Sequence, residues 1–148
     1  GTGNGAETIS GTSMASPHVA GVAALTVQSH PKWTAGQVAS AIVSTADPSK
    51  VAGQSTTRGG VGLVDAAAAV ATTVTATGDA FRTDSGWLRE SALSFGFQES
   101  ASAFAGVKTI TVQNSGKKAV TYKVSADPSD QSLDAKIART VGCFWILV

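Results

Sequence analysis

From Ser13 to Ser29 apolar and small residues fall on every face of a helical wheel. Met14, Ala15, Val19, Ala20, Val22, Ala23, Ala24, Leu25 and Val27 leave no wide polar stripe, a pattern that predicts a helix made for the middle of a protein. Pro17 is expected in its first turn, where a missing N–H costs little, and Pro31 predicts an end near His30. In "TAGQVASAIVSTA", Thr34 and Gln37 stand at capping-box spacing, and Val38, Ala41 and Ile42 form one apolar face, so a second, half-buried helix is predicted. A loop rich in Gly, Ser and Thr runs from Pro48 to Gly62, after which Asp65 is placed to cap a third helix through the alanines at 66 to 69 and Val70. Beyond Gly78 the period changes from helical to alternating. "KTITV" from Lys108 and "AVTYKV" from Ala119 predict two strands joined as a hairpin across "QNSGKK". The boundary between helical and β material is expected in "ATGDAFRTDSG", near residues 76 to 86.

Composition narrows the class without naming a partner. The 148 residues fit one or two domains, and 43% apolar with 14% charged residues is globular material, not a disordered chain. A net charge of +1, from 11 basic and 10 acidic side chains, supplies no field for nucleic acid or an anionic membrane, so neither is expected as a partner. Cys143 is the lone cysteine, which excludes an intramolecular disulfide and a cysteine-rich metal site. The terminal "VGCFWILV" is far shorter than the roughly 20 residues that span a bilayer, and is expected to be a strand or a truncation. Gly1 carries no leader pattern, so any signal peptide is expected to have been removed or to lie upstream.

The serine in "GTSMASPHVAG" raises the question of chemistry. A hydroxyl at its free pKa is a poor nucleophile and needs a base, with donors to hold the oxyanion that forms on the attacked carbonyl. At the first turn of a helix Ser13 has part of that arrangement, because the backbone N–H there is unpaired, the dipole favours negative charge, and Gly11 permits close approach. The structural alternative is that Ser13, or Thr12 before it, only caps the helix. His18 does not serve as the base within this helix: five residues on is roughly 140° around and about 7.5 Å along the axis. His30 lies some 18 Å further along the same helix. His18 is expected to be a packed or hydrogen-bonded structural residue, and Lys32 has no spacing that suggests a Ser-Lys dyad.

"GTSMASPHVAG" resembles the nucleophile motif of the subtilisin-like serine proteases (subtilases, peptidase family S8), with glycine, serine, proline and histidine in the family's places over eleven residues. "HPKWTAGQVASAIVSTA" is similar to that family's following helix and "GGVGLVDAAAAV" to its glycine-rich turn and last helix, so the likeness covers about residues 6 to 75. The resemblance implies that Ser13 is the catalytic nucleophile of an endopeptidase working through an acyl-enzyme. Its own N–H would be one oxyanion donor, Thr12 would support the site, and Met14 would pack beside it. In that family the chain order is Asp, His, Ser, which places both partners upstream of Gly1, along with the side-chain oxyanion donor. Asn4 is too close to Ser13 to be that donor, and Asp65 matches a helix start and not the acid motif. "ALSFGF" followed by "KTITVQNSGKKAVTYKVSA" resembles, over about residues 92 to 126, the fibronectin-III-like sandwich that follows the catalytic domain in many large subtilases.

The fold class expected is therefore the C-terminal helical portion of a subtilisin-like three-layer α/β/α domain, residues 1–77, followed by a partial fibronectin-III-like all-β sandwich, residues 78–148. The resemblance implies a secreted or extracellular enzyme acting on protein or peptide substrates, and a chain whose first partner is the missing N-terminal part of its own catalytic domain. No cofactor or metal is expected. A chain lacking the acid and base would be inactive alone and would expose a wide apolar surface on its first helix. The alternative is a non-catalytic fragment that acts only as a β-sandwich packing or interaction module.

Overall fold

The computed structural model describes residues 3–54, 59–93, 95, 106–124, 136–140 and 143–147, the last two stretches as backbone. Three helices come first: α1 (Thr12–Ser29), α2 (Ala35–Ser44) and, after a 3-10 turn at Pro48–Lys50, α3 (Ala66–Ala71). Six strands follow: β1 (Val74–Thr77), β2 (Ala80–Thr83), β3 (Gly86–Arg89), β4 (Val107–Asn114), β5 (Lys136–Thr140) and β6 (Cys143–Leu147).

The helices end where their sequences say, for local reasons. His30 stops α1, its N–H donating to Thr26 O at 2.9 Å. The Thr34–Gln37 capping box is complete, with Gln37 N–H donating to Thr34 Oγ1 at 3.3 Å and Thr34 N–H to Gln37 Oε1 at 2.9 Å. Asp65 Oδ1 accepts from Ala68 N–H at 2.9 Å and starts α3. Pro17 differs from expectation. With α1 beginning at Thr12, the proline falls in the second turn, and the residue four before it is Ser13, whose carbonyl therefore lacks its usual intrahelical donor.

The loop between α2 and α3 is closed at its neck, where Asp47 and Leu63 exchange backbone hydrogen bonds of 2.9 and 3.0 Å. Gly62 sits at φ 117°, and a Cβ there would overlap the Asp47 carbonyl and the Pro48 nitrogen, so only glycine lets the two arms approach this closely. Asp47 also accepts from the Ser49 hydroxyl at 2.6 Å and the Ser49 N–H at 2.9 Å, with the Lys50 ammonium 3.7 Å away. Those hydrogen bonds, ahead of the Lys50 charge, hold its carboxyl below the ordinary value of 3.8.

Among the described residues the buried ones are small: Val22 and Thr26 on α1, Val38, Ser40 and Ala41 on α2, Ala69 on α3, Thr75 on β1 and Gly78 just after it. Among the described residues α1 is covered chiefly on one face, by α2 and α3. Val19, Leu25 and Val27 stay exposed, Leu25 at 51%, so the apolar surface expected from the sequence is present. The buried hydroxyls are satisfied, Thr26 donating to Val22 O at 2.8 Å and Ser40 to Ala76 O, which fastens α2 to β1.

The strands build an antiparallel sheet in the order β1-β4-β6-β5 and a separate hairpin β2-β3. This differs from expectation in two respects. The strand predicted over Ala119–Val124 does not form. Asn114 makes the turn, accepting from Gly116 N–H and donating to Lys118 O, both at 2.8 Å, but β4 already has β1 on one edge and β6 on the other. Residues 119–124 run exposed without strand pairing. The second is an element not anticipated: within "ATGDAFRTDSG", where the change from helical to β material is expected, Ala80–Thr83 pairs with Gly86–Arg89 around a two-residue turn at Asp84–Ser85. In "ALSFGF", Ala92, Leu93 and Phe95 carry no strand, and the other three residues lie outside the described set. β1 pairs with β4 across residue 77, where the sequence placed the domain boundary.

Two measurements check these local accounts. Thr34→Ala is expected to lower stability by about 1 kcal/mol, read by denaturant titration of helical circular dichroism, through loss of the N-cap hydrogen bond. Asp47, whose folded pKa is lowered, contributes stability above the ordinary carboxylate range, and that contribution fades as pH falls below 3.8 through its lowered pKa. Carboxyl NMR titration of Ser49→Ala should show the Asp47 inflection moving back up.

Candidate active site

Ser13 is the second residue of α1, and nothing in the described structure occupies its hydrogen-bonding groups. The N-cap is Gly11, which has no side chain to offer, and no side chain caps this helix. Gly11 O accepts from Met14 N–H at 3.0 Å and Ala15 N–H at 3.1 Å, leaving the N–H groups of Thr12 and Ser13 without partners among the described residues. The Ser13 hydroxyl likewise makes no hydrogen bond among them. The capping role open to Ser13 or Thr12 on position alone is therefore not the one either plays. Gly11 has φ 154° and ψ 166°, a region essentially reserved for glycine. Its position, with the Met14 sulfur 3.7 Å from where a Cβ would lie, turns the chain sharply into the helix.

Ser13 thus presents a hydroxyl and an N–H, both unpartnered among the described residues, together at the positive end of an 18-residue helix. Both are exposed, and Met14 beside them is half-buried. Such a site can hold a negatively charged oxygen beside the hydroxyl. Among the described residues it has no base. His18 turns away and its Nδ1 lies 2.6 Å from Met14 O on its own helix. His30 is spent at the far end, with Nε2 donating to Val70 O at 2.9 Å and its ring stacked 3.8 Å from that of Trp33. Ser29 Oγ donates to the same Val70 carbonyl at 3.3 Å, so the C-terminus of α1 is clipped to α3. Asn4 and Lys32 are exposed and make no side-chain hydrogen bond among the described residues, and Asp65 is the cap of α3.

The apolar groove lined by Leu25, Gln28, Ser29, Ala66, Ala67 and Val70, about 340 Å³, lies between α1 and α3. It is roughly 18 Å along the helix from Ser13 and belongs to a different end of the molecule. Among the described residues no cluster of three His, Cys, Asp or Glu side chains is placed to hold a metal ion, and no helix is long and apolar enough to cross a membrane.

The geometry at Ser13 and the motif that builds it sit in a region with clear relatives. Residues 2–68 match the subtilase family. The chain is 54% identical over 43 residues to a subtilisin-like protease, SBT2.5, of Arabidopsis thaliana, covering 29% of this chain and 5% of that protein. It is 48% identical over 67 residues to alkaline elastase YaB of a Bacillus species, covering 45% of this chain and 17% of the relative. It is 54% identical over 39 residues to subtilisin-like protease SBT3 of Solanum lycopersicum, covering 26% of this chain and 5% of that protein. The chain thus spans a small part of the curated subtilases it matches. No solved structure matches it.

The subtilase likeness falls on α1, α2 and α3, and the feature that sequence reasoning missed lies outside it, in the β2-β3 hairpin. Its signal was present as the alternation in "AFRT" and "GWLR" on either side of Asp84–Ser85. Gly11→Ala is expected to strain the entry to α1 by about 1–3 kcal/mol. Hydrogen exchange should quicken at the Met14 and Ala15 amides, which bond to Gly11 O, and stay unchanged at the amides of α2.

Proposed function

We propose that Ser13 is the nucleophile of a subtilisin-like serine endopeptidase, and that the acid and base completing it are supplied by polypeptide outside this chain. The observation that carries the reading is the free Ser13 hydroxyl beside its own free N–H at the start of α1, within the stretch that matches the subtilases. In the reaction, Ser13 Oγ attacks the scissile carbonyl carbon and its proton passes to a histidine, held in orientation by an aspartate. The oxygen that becomes negative is received by the Ser13 N–H and the positive end of α1. Protonation of the leaving amine breaks the peptide bond, and water then releases the acyl group from Ser13. Thr12 and Met14 support the turn. Protein or peptide substrates, a secreted or extracellular setting and a fibronectin-III-like origin for residues 78–148 go with this reading, the last supported by the antiparallel pairing of β4, β6 and β5.

The exposed face of α1, with Val19, Leu25 and Val27 uncovered, supports the companion proposal that the rest of the catalytic domain packs there. A second reading, that the chain acts only as a non-catalytic packing or interaction module, is favoured by the engagement of both histidines away from Ser13.

A fluorophosphonate probe separates the two. The isolated chain is expected to stay unlabelled, because an oxyanion site without a base leaves only a residual rate. The longer protein that contains this chain together with its acid and base is expected to label at Ser13 and to lose peptidase activity by more than about 10⁴-fold in Ser13→Ala. Rapid stoichiometric labelling of the isolated chain would contradict the need for an outside base. Full activity of the Ser13→Ala protein would remove the nucleophile.

A further inference from the structure

The β2-β3 hairpin is held firmly at its base and is open along the rest of its length. At the base Gly78 N–H donates to Glu90 O at 2.7 Å, and Glu90 N–H donates to Asp79 O at 3.0 Å. Lys108 on β4 places its Nζ 2.6 Å from Glu90 Oε1 and 4.0 Å from Asp79 Oδ2, which ties both ends of the ribbon to the main sheet. Beyond that point β2 and β3 pair only with each other among the described residues. Two strands of four residues gain little from their own pairing in water, so the base fixes the ribbon while its surface stays available.

The register decides what that surface is. Directly opposed residues share a face, so the pairs Ala80–Arg89 and Arg82–Trp87 put Arg82, Trp87 and Arg89 together, with Phe81 and Leu88 on the reverse. Trp87 is 72% exposed. Arg82 is exposed and makes no hydrogen bond or ion pair among the described residues, and Arg89 reaches only Gly78 O, at 3.4 Å. The carboxylates at the base are drawn to Lys108, leaving two guanidinium groups and an indole on one face with no acid paired to them among the described residues. The same residues also present backbone. Because the two-residue turn at Asp84–Ser85 is closed by the Thr83–Gly86 pair, and Glu90 N–H donates to Asp79 O in the same register, the antiparallel alternation makes Ala80–Arg89 and Arg82–Trp87 non-bonded pairs, whose N–H and C=O groups point outward from the ribbon.

We propose that the outer edge of β3 is a docking strand for an extended peptide bearing acidic side chains. The peptide adds beside β3 through the outward groups of Trp87 and Arg89, its carboxylates pair with Arg82 and Arg89, and Trp87 covers its apolar portion. The open edge favours a peptide, since nucleic acid has no backbone amides to pair with it, and a net charge of +1 spreads no field for a polyanion. The surface is separate from Ser13, and the proposal holds with or without the catalytic reading.

Fluorescence anisotropy on the whole 148-residue chain tests it, with a labelled ten-residue peptide of alternating Glu and Thr. Comparison ligands are the Lys–Thr counterpart, a Glu–Thr peptide N-methylated at alternate residues, and a single-stranded oligothymidine. Saturable binding of the Glu–Thr peptide is expected, weakened at least tenfold by Arg82→Glu and by Trp87→Ala and largely kept in Arg82→Lys, with contacts between Phe81 and Leu88 retained by NMR as proof that the hairpin persists. The N-methylated peptide should bind at least tenfold more weakly in the registration that blocks its paired amides. Equal binding of the Glu and Lys peptides, equal binding of both N-methylation registers and the parent, or tighter binding of the oligonucleotide would each overturn the proposal. The ligand comparisons use the unaltered chain, so they decide the matter even where a variant fails to fold.

Discussion

Three helices meet over side chains no larger than valine, and everything else in the first half of the chain depends on that crossing. Val22 and Thr26 of α1, Val38 and Ala41 of α2 and Ala69 of α3 fill it. Small residues let the backbones come close, but they bury little area: a valine contributes about 1.5–3 kcal/mol and an alanine much less. The crossing is therefore supplemented by polar fasteners placed where a side chain meets a carbonyl of another element. Ser40 reaches Ala76 O on β1, and Ser29 and His30 both reach Val70 O at the end of α3. Each satisfies a carbonyl near the end of a regular element, and each fixes the angle at which the next element leaves.

Among the described residues both histidines face backbone carbonyls, His30 across to another helix and His18 within its own. His30 is the hinge pin between α1 and α3, stacked on Trp33 and bonded to Val70. His18 follows Pro17 in the continuous helix and brings its Nδ1 within 2.6 Å of the Met14 carbonyl. Ser13 is left at a helix end that has no side-chain cap, since the N-cap is a glycine whose backbone conformation other residues resist. An uncapped N-terminus is a cost to the helix and an opportunity for chemistry, because the same orphan N–H groups that a cap would consume are the ones an oxyanion needs. The absence of a cap at α1 contrasts with α2 and α3, both capped by side chains.

The second half is joined to the first through β1, which packs on α2 and pairs with β4. Its ladder is extended beyond the strand by Ser115, whose N–H and hydroxyl both donate to Thr73 O at 2.8 Å. Lys108 performs the same office for the hairpin, drawing Glu90 and Asp79 onto β4 from two directions. Both junctions use β4, so the longest strand is the beam on which the β material and the helices are hung.

What the sequence determined by itself was local. Helix starts at Thr34 and Asp65, the stop at His30 and the Ser13 motif are each written in residues a few positions apart, where hydrogen-bond geometry leaves few alternatives. Only tertiary structure decided the strand partners. "AVTYKV" alternates well enough for a strand, yet pairing is a competition for edges, and β1 and β6 hold the edges of β4. "AFRT" and "GWLR" pair with each other, which puts a hairpin at the expected change from helical to β material. The covered and uncovered sides of α1 were also beyond the sequence. A helix that is apolar all round carries no mark of which side its neighbours will take, and contact with α2 and α3 alone chose Val22 and Thr26.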